Sequence, residues 1–332
     1  MKIMMIGFGT VGQGFAELLL EKKNELPEKI EIVAVYDKKM GGVVDPNGID
    51  LKSLLEAASS GQVYSLQGGI KEVDVPNFIK EVPSDVMVEV TYTNLETAEP
   101  AYTHIREALK SGKNVVTTNK GPIALFYNEL KSLADKYNRI LKFEGTVLSG
   151  TPAINLAFSS LKGSKINKIR GILNGTTNYI LTNMQTGMSY SEALKEAQKL
   201  GYAEADPTGD VEGWDAMAKI LILTNVLLGG GITKKDVFRE GITGITADMV
   251  KEAIMEGKKW KLIGEAKVMG NRIEASVKPQ KISKEDKLYS VDGVLNSIVF
   301  TTDTLGEVQI VGPGAGRRET GYAVLSDILS LS

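Results

Sequence analysis

Asp215 and Lys219 stand four residues apart in the stretch GYAEADPTGDVEGWDAMAK, so on a helix they share one face. On a solvated surface the two would form an ion pair worth only about a few tenths of a kcal/mol. The neighbours argue against that setting. Ala216, Ile222, Leu223 and Val226 surround Lys219, and the helix stays apolar on nearly all sides for two further turns, the pattern of a buried helix. An ammonium drawn into apolar surroundings gives up its proton more readily, and a carboxylate beside it limits the change. The pair is therefore equipped to move a proton. Upstream, Pro207 and Gly209 predict a turn, and Asp210 is the natural N-cap of a helix over 210–228.

Two further loops gather polar groups. GILNGTTNYIL sets hydroxyls and amides beside the small residues Gly175 and Thr176, as a small polar substrate requires. In TTNK, Lys120 ends a parallel strand, the edge at which doubly wound sheets bind their ligands. The segment Gly7-Phe8-Gly9-Thr10-Val11-Gly12 is G-x-G-x-x-G between a strand and a helix. In that context the glycines serve a tight turn, a close approach to a pyrophosphate and helix–strand packing, while the helix N-terminus offers N–H groups to the phosphates. Asp37 closes the second strand, where an acid accepts hydrogen bonds from ribose hydroxyls and repels a 2′-phosphate. That favours NAD over NADP, although Lys38 and Lys39 follow at once and would suit a 2′-phosphate if Asp37 turned away.

Composition narrows the chemistry. The 332 residues contain no cysteine, which excludes disulfides, thiolate metal sites and any thioester intermediate. The single histidine, His104, lies in the charge-flanked helical stretch AYTHIREALKSG and reads as a surface residue. Acid–base work therefore falls to Lys, Asp, Glu or Tyr. With 39 basic against 41 acidic residues, a net charge of -2, the chain has no basic excess for a nucleic acid. The longest apolar run, Ile220 to Leu228, is too short to cross a bilayer, and the N-terminal run Ile3 to Ile6 meets Gly7 without the pattern of a signal peptide. A cytoplasmic protein with a small-molecule substrate is expected, with neither nucleic acid nor membrane as partner.

These groups need elements to position them. KIMMI, the glycine segment, a helix with Val11, Phe15, Leu18 and Leu19 on one stripe, and IEIVAVYD form a βαβ unit, the helix ending at Pro27. Residues 41–70 read as a surface crossover around a helix over 51–58. Strands at DVMVEV, NVVTTN and RILKFEG, with helices over 100–110 and 125–137 between them, continue a parallel alternation. After Gly150 come Gly-punctuated loops, helices over 190–200 and 210–228, and a strand-rich stretch over 267–310. The expected fold is α/β: an N-terminal Rossmann-type dinucleotide-binding domain over 1–145, to which the Gly-rich segment and helix at 312–332 return, and an α+β catalytic and dimerisation domain with a mixed sheet over 146–311.

In these blocks the chain resembles the homoserine dehydrogenases over essentially its whole length: ADPTGDVEGWDAMAK, GILNGTTNYIL, NVVTTNKGP and GPGAG match that family's blocks in order. The resemblance implies reduction of L-aspartate 4-semialdehyde to L-homoserine with NAD or NADP, on the route to threonine and methionine, by a homodimer formed through the second domain. Carried over residue by residue, Lys219 resembles the proton donor, and Lys120 the lysine beside nicotinamide and substrate. Glu204, Asp210 and Asp215 match acids that hold the substrate, Gly175 and Thr176 its substrate loop, and Thr91 and Gly316 cofactor contacts. A monovalent cation, Na+, is implied at backbone carbonyls of Glu144, Val147, Ser149 and Thr151. There this chain reads TVLSGTP, where the family usually has a more glycine-rich loop. No added regulatory domain, and no feedback inhibition through one, is expected.

Other readings stay open. Aspartate-semialdehyde dehydrogenase acts on the same aldehyde but needs a cysteine, which is absent. A different small-substrate NAD(P) oxidoreductase would show itself in substrate screening. A non-catalytic NAD sensor would have no need of Glu204, Asp210, Asp215 and Lys219.

Overall fold

A computed structural model describes residues 1–331, which form two compact units: Met1–Gly150 with the described residues from Gly316 on, and Thr151–Ala315.

In the first unit, β1 (Lys2–Ile6), α1 (Thr10–Lys22) and β2 (Glu31–Asp37) build the expected βαβ motif. The apolar stripe of α1 buries Phe15, Leu18 and Leu19, but the helix stops at Lys22 in a turn, before Pro27 is reached. Residues 41–70 are more than a crossover around α2 (Leu51–Ser59). They add two short strands, β3 (Gly41–Val44) and β4 (Gly69–Ile70), which run antiparallel and extend the sheet beyond β2. These strands are brief and glycine-rich, with none of the alternation by which a strand is read. The alternation then proceeds through α3 (Val75–Glu81), β5 (Val86–Glu89), α4 (Ala101–Lys110), β6 (Asn114–Thr117), α5 (Lys120–Lys136) and β7 (Leu141–Lys142).

The sheet order is β4-β3-β2-β1-β5-β6-β7. The chain moves outward from β1 to β2 and later resumes on the other side at β5, and the five strands from β2 to β7 are parallel. The switch point, where such sheets take dinucleotides, lies between β1 and β5. His104 is not a surface residue: it is 5% exposed, and its Nδ1 lies 3.5 Å from the carboxylate of Glu89, a wholly buried residue at the end of β5. Local charges on α4 gave no hint of a carboxylate supplied by another element.

The second unit begins with a single turn, α6 (Ala153–Asn155), then β8 (Ile166–Ile172), α7 (Gly175–Met184), α8 (Tyr190–Lys199), α9 (Thr208–Val211) and α10 (Trp214–Leu227). There follow β9 (Val237–Arg239), α11 (Ala247–Met255) and the long strands β10 (Lys259–Met269), β11 (Arg272–Ile282), β12 (Leu295–Thr302) and β13 (Gly306–Pro313). Its sheet is mixed, in the order β13-β12-β8-β10-β11-β9, antiparallel except where β9 joins β11. The segment at 210–228 is not one helix. Gly213, at φ +79, breaks it into α9 and α10 and caps the second piece without a side-chain bond. Asp210 therefore lies inside α9 and caps nothing. In β10, Lys261 is wholly buried, its ammonium donating to Asn178 Oδ1, Asp292 Oδ1 and the Val291 carbonyl at 2.7–2.8 Å.

The last helix, α12 (Arg317–Leu329), belongs to the first unit and packs on α1. The two helices meet backbone to backbone: a Cβ on Gly14 would lie 2.3 Å from the Arg317 carbonyl oxygen, and one on Gly321 2.6 Å from the backbone of Gly14 and Phe15. Arg317 ties the crossing with a bidentate pair to Glu17. Among the described residues no helix is long and apolar enough to cross a membrane.

Candidate active site

In the first unit the glycine segment sits at the sheet's switch point. Gly7 adopts φ +92, and a Cβ there would lie 2.7 Å from the Val90 carbonyl oxygen, so no side chain fits. Gly9, by contrast, is exposed, with nothing within 4 Å of its would-be Cβ. The first turn of α1 has neither a side-chain cap nor an acidic residue, which leaves the N–H groups of Thr10, Val11 and Gly12 and the positive end of the helix to an incoming anion. The loop is held from both sides. Phe8 N–H donates to Asp37 Oδ2 at 3.0 Å, and Gln13 Nε2 donates to the Phe8 carbonyl at 2.9 Å. Asp37 Oδ1 accepts from Lys39 N–H at 2.8 Å, so the carboxylate is turned toward the glycine loop rather than away from it.

Next to this loop, Thr91 follows β5 and donates through its hydroxyl to the buried Glu89 carboxylate. Asn119 caps α5 and its amide bonds the carbonyls of Thr91 and Tyr92 at 3.2 and 2.9 Å, which braces that edge. Lys120 stands three residues past the end of β6, as the first residue of α5, at the carboxyl edge of the parallel sheet. Gly316, at φ +139, precedes α12. These features fit a dinucleotide: an open glycine, an uncapped helix start and an acid at the end of the second strand.

In the second unit, Lys219 is 7% exposed on α10 and donates to Asp215 Oδ2 at 2.7 Å and to the Leu173 carbonyl at 2.8 Å. Asp210 joins them through a residue that the sequence reading passed over as part of a loop. Asn174 caps α7, and its Nδ2 donates to Asp210 Oδ1 at 2.6 Å and to Asp215 Oδ2 at 3.0 Å. Burial, and then the neighbouring Asp215, push the Asp210 carboxyl above its usual range, while Asn174 pulls it back. GILNGTTNYIL thus joins the end of β8 to the start of α7. Gly175 and Thr176 open that helix beside the cluster, and Thr176 Oγ1 donates to the Tyr202 carbonyl at 2.5 Å. Glu204 is exposed, and no bond ties its carboxylate to the cluster.

A doubly wound sheet with a glycine loop at its switch point, together with a buried lysine–carboxylate cluster, defines an NAD(P)-dependent oxidoreductase. Residues 7–144 match the model "Homoserine dehydrogenase, NAD binding domain" and residues 152–329 the model "Homoserine dehydrogenase". The chain is 44% identical over 336 residues to the NAD(+)-dependent homoserine dehydrogenase of Pseudomonas canavaninivorans, covering 99% of this chain and 96% of that one. It is equally 44% identical over 336 residues to the homoserine dehydrogenase of Methanocaldococcus jannaschii, covering 100% and 98%. A solved hyperthermophilic archaeal homoserine dehydrogenase in complex with NADPH matches with a TM-score of 0.85 at 33% identity, covering 99% of this chain and 97% of that one. The chain belongs to the homoserine dehydrogenase family.

Proposed function

We propose that the protein interconverts L-aspartate 4-semialdehyde and L-homoserine, with Lys219 as the proton donor to the reduced carbonyl. The observation that carries this reading is the hydrogen-bond inventory of Lys219. An ammonium has three donors. Two are spent on Asp215 and the Leu173 carbonyl, and the third remains for a substrate oxygen. When bound, the nicotinamide supplies a hydride to the aldehyde carbon. Lys219 meets the negative charge that develops on oxygen by giving up a proton, and Asp215 orients the amine and balances its charge. Asp210 and Asp215 suit the substrate's ammonium, with Gly175 and Thr176 beside them and Glu204 as a further acid at the surface. Lys120, at the ligand edge of the parallel sheet, together with Thr91 and Gly316, serves the cofactor side. Aldehyde-dependent oxidation of NADH and NADPH, followed side by side in absorbance, tests the reaction; no oxidation of either would refute it. The same reading places the enzyme in the cytoplasm on the route to threonine and methionine.

NAD is the favoured cofactor. Asp37 is held in place by two backbone N–H groups, so its charge stays where a 2′-phosphate would come, and Lys38 and Lys39 do not displace it. The Pseudomonas canavaninivorans relative is named for NAD(+), whereas the archaeal structure holds NADPH. Asp37→Ser should shift kcat/KM toward NADPH by about fivefold or more, since one unit of like charge at close range costs on the order of 1 kcal/mol even in water. An unchanged ratio of the two cofactors would remove Asp37 from the choice.

For Na+, the proposed ligands are the carbonyls of Glu144, Val147, Ser149 and Thr151. Leu148 and Ser149 are consecutive left-handed residues, at φ +50 and +54, which turns successive carbonyls away from an extended course. The Glu144 carbonyl accepts the Val147 N–H and the Thr151 carbonyl the Ala153 N–H, and a carbonyl oxygen has two lone pairs. Replacing sodium by tetramethylammonium should lower turnover and the thermal midpoint; equal values in both salts would refute the site. A homodimer through the second unit completes the proposal. Phe238, Leu305 and Val311 leave apolar surface exposed there, and sedimentation tests it.

A further inference from the structure

A primary amide offers two N–H donors and two oxygen lone pairs. Asn174 is 5% exposed and spends both donors, and its oxygen, on partners. Its Oδ1 accepts from Thr177 N–H at 2.9 Å and from the Thr177 hydroxyl at 3.0 Å, while its Nδ2 donates to Asp210 and to Asp215. The partners fix which end is which: a flipped amide would aim oxygen at two carboxylates and face the Thr177 N–H with another donor. Only the oxygen is needed to start α7. Ser or Asp would cap a helix as well as Asn does. The nitrogen is spent on the two acids.

Those acids form an awkward pair. Two carboxylates close enough to share one nitrogen repel each other, and of the two the Lys219 ammonium hydrogen-bonds Asp215, reaching Asp210 through its charge alone. A neutral amide bonds both without adding charge, and on Asp215 it shares Oδ2 with Lys219. We propose that Asn174 is a positioning residue of the reaction, holding Asp210 and Asp215 in the one arrangement from which Lys219 delivers its proton. The inference rests on the reading of Lys219 as that donor. Capping alone would leave the choice among Asn, Ser and Asp indifferent. Positioning ranks them, because Ser loses the double donor and Asp replaces it with a third anion.

The test compares Asn174→Ser and Asn174→Asp with the parent enzyme and with Lys219→Met, all as full chains. Expected for Asn174→Ser are an unchanged NADH dissociation constant, a thermal midpoint within a few degrees of the parent, and kcat lower by about 10²-fold, the lower end of what positioned acid catalysis contributes. The solvent deuterium isotope effect on kcat should rise as proton delivery becomes limiting. Asn174→Asp should be slower still. Near-parent kcat in both variants overturns the proposal, as does an activity loss that merely follows the folded fraction in each. Inactive Lys219→Met alongside an unimpaired Asn174→Ser would defeat this inference alone, whereas an active Lys219→Met would defeat the reading on which it rests.

Discussion

Lys219→Met should lower turnover by about 10²–10⁴-fold, the range that positioned acid–base catalysis supplies, with NADH binding unchanged. Met fills a similar volume on an α10 that is buried from Ala216 to Asn225. It cannot donate, so the developing oxyanion meets no proton. The first unit, with its glycine loop and Asp37, is untouched by the change. Stability is expected to fall by about 1–3 kcal/mol, the cost of leaving a buried polar group without a partner: the Leu173 carbonyl loses its Lys219 donor, while Asp215 loses one ion pair and keeps the bond from Asn174. Single-turnover kinetics, NADH fluorescence titration and denaturant unfolding on one preparation separate these effects. Near-parent turnover would end the assignment.

Gly7→Ala should be the most damaging change in the first unit. Two costs fall on one residue: a left-handed φ, which costs a side-chain-bearing residue about 1–2 kcal/mol, and a Cβ within 2.9 Å of three backbone atoms at Val90 and Thr91. Overpacking against backbone adds about 1–3 kcal/mol. The loop can relieve the clash only by moving away from β5, which breaks the Phe8–Asp37 bond and misplaces the start of α1. NADH affinity should drop at least tenfold, together with a lower midpoint of unfolding. An alanine variant that binds NADH within twofold of the parent would show that this loop does not carry the pyrophosphate.

What could be read in the sequence was what is local. β1, the glycine segment, α1 and Asp37 lie within 40 residues, and each signal there agrees with its neighbours, so the nucleotide motif was legible to its individual glycines. Lys219 was legible as buried because α10 is apolar on every face. The break at Gly213 was not, because a left-handed residue between two helices is indistinguishable in sequence from a glycine tolerated inside one. Its would-be Cβ meets Val277 of β11, a neighbour far along the chain. His104 and Lys261 were missed for one common reason. Both are charged or polar residues buried against groups from another element: Glu89 lies 3.5 Å from the first, and Asp292 and Asn178 bond the second. Asn174 was visible only as part of a polar loop, because Asp210 and Asp215 approach it from 36 and 41 residues away.

The nucleotide-binding unit is written in two pieces, with about 300 residues between α1 and the helix that covers it. During synthesis α1 leaves the ribosome long before α12 exists, while the intervening unit, Thr151–Ala315, is continuous and can fold as it emerges. The face of α1 that carries Gly14 must wait for its glycine-matched partner, and Val324, Leu325 and Ile328, buried in the finished core, arrive only with α12. Completion of the cofactor-binding half thus waits for α12. A nascent chain that has not yet reached α12 would hold a folded second unit and an unfinished nucleotide site.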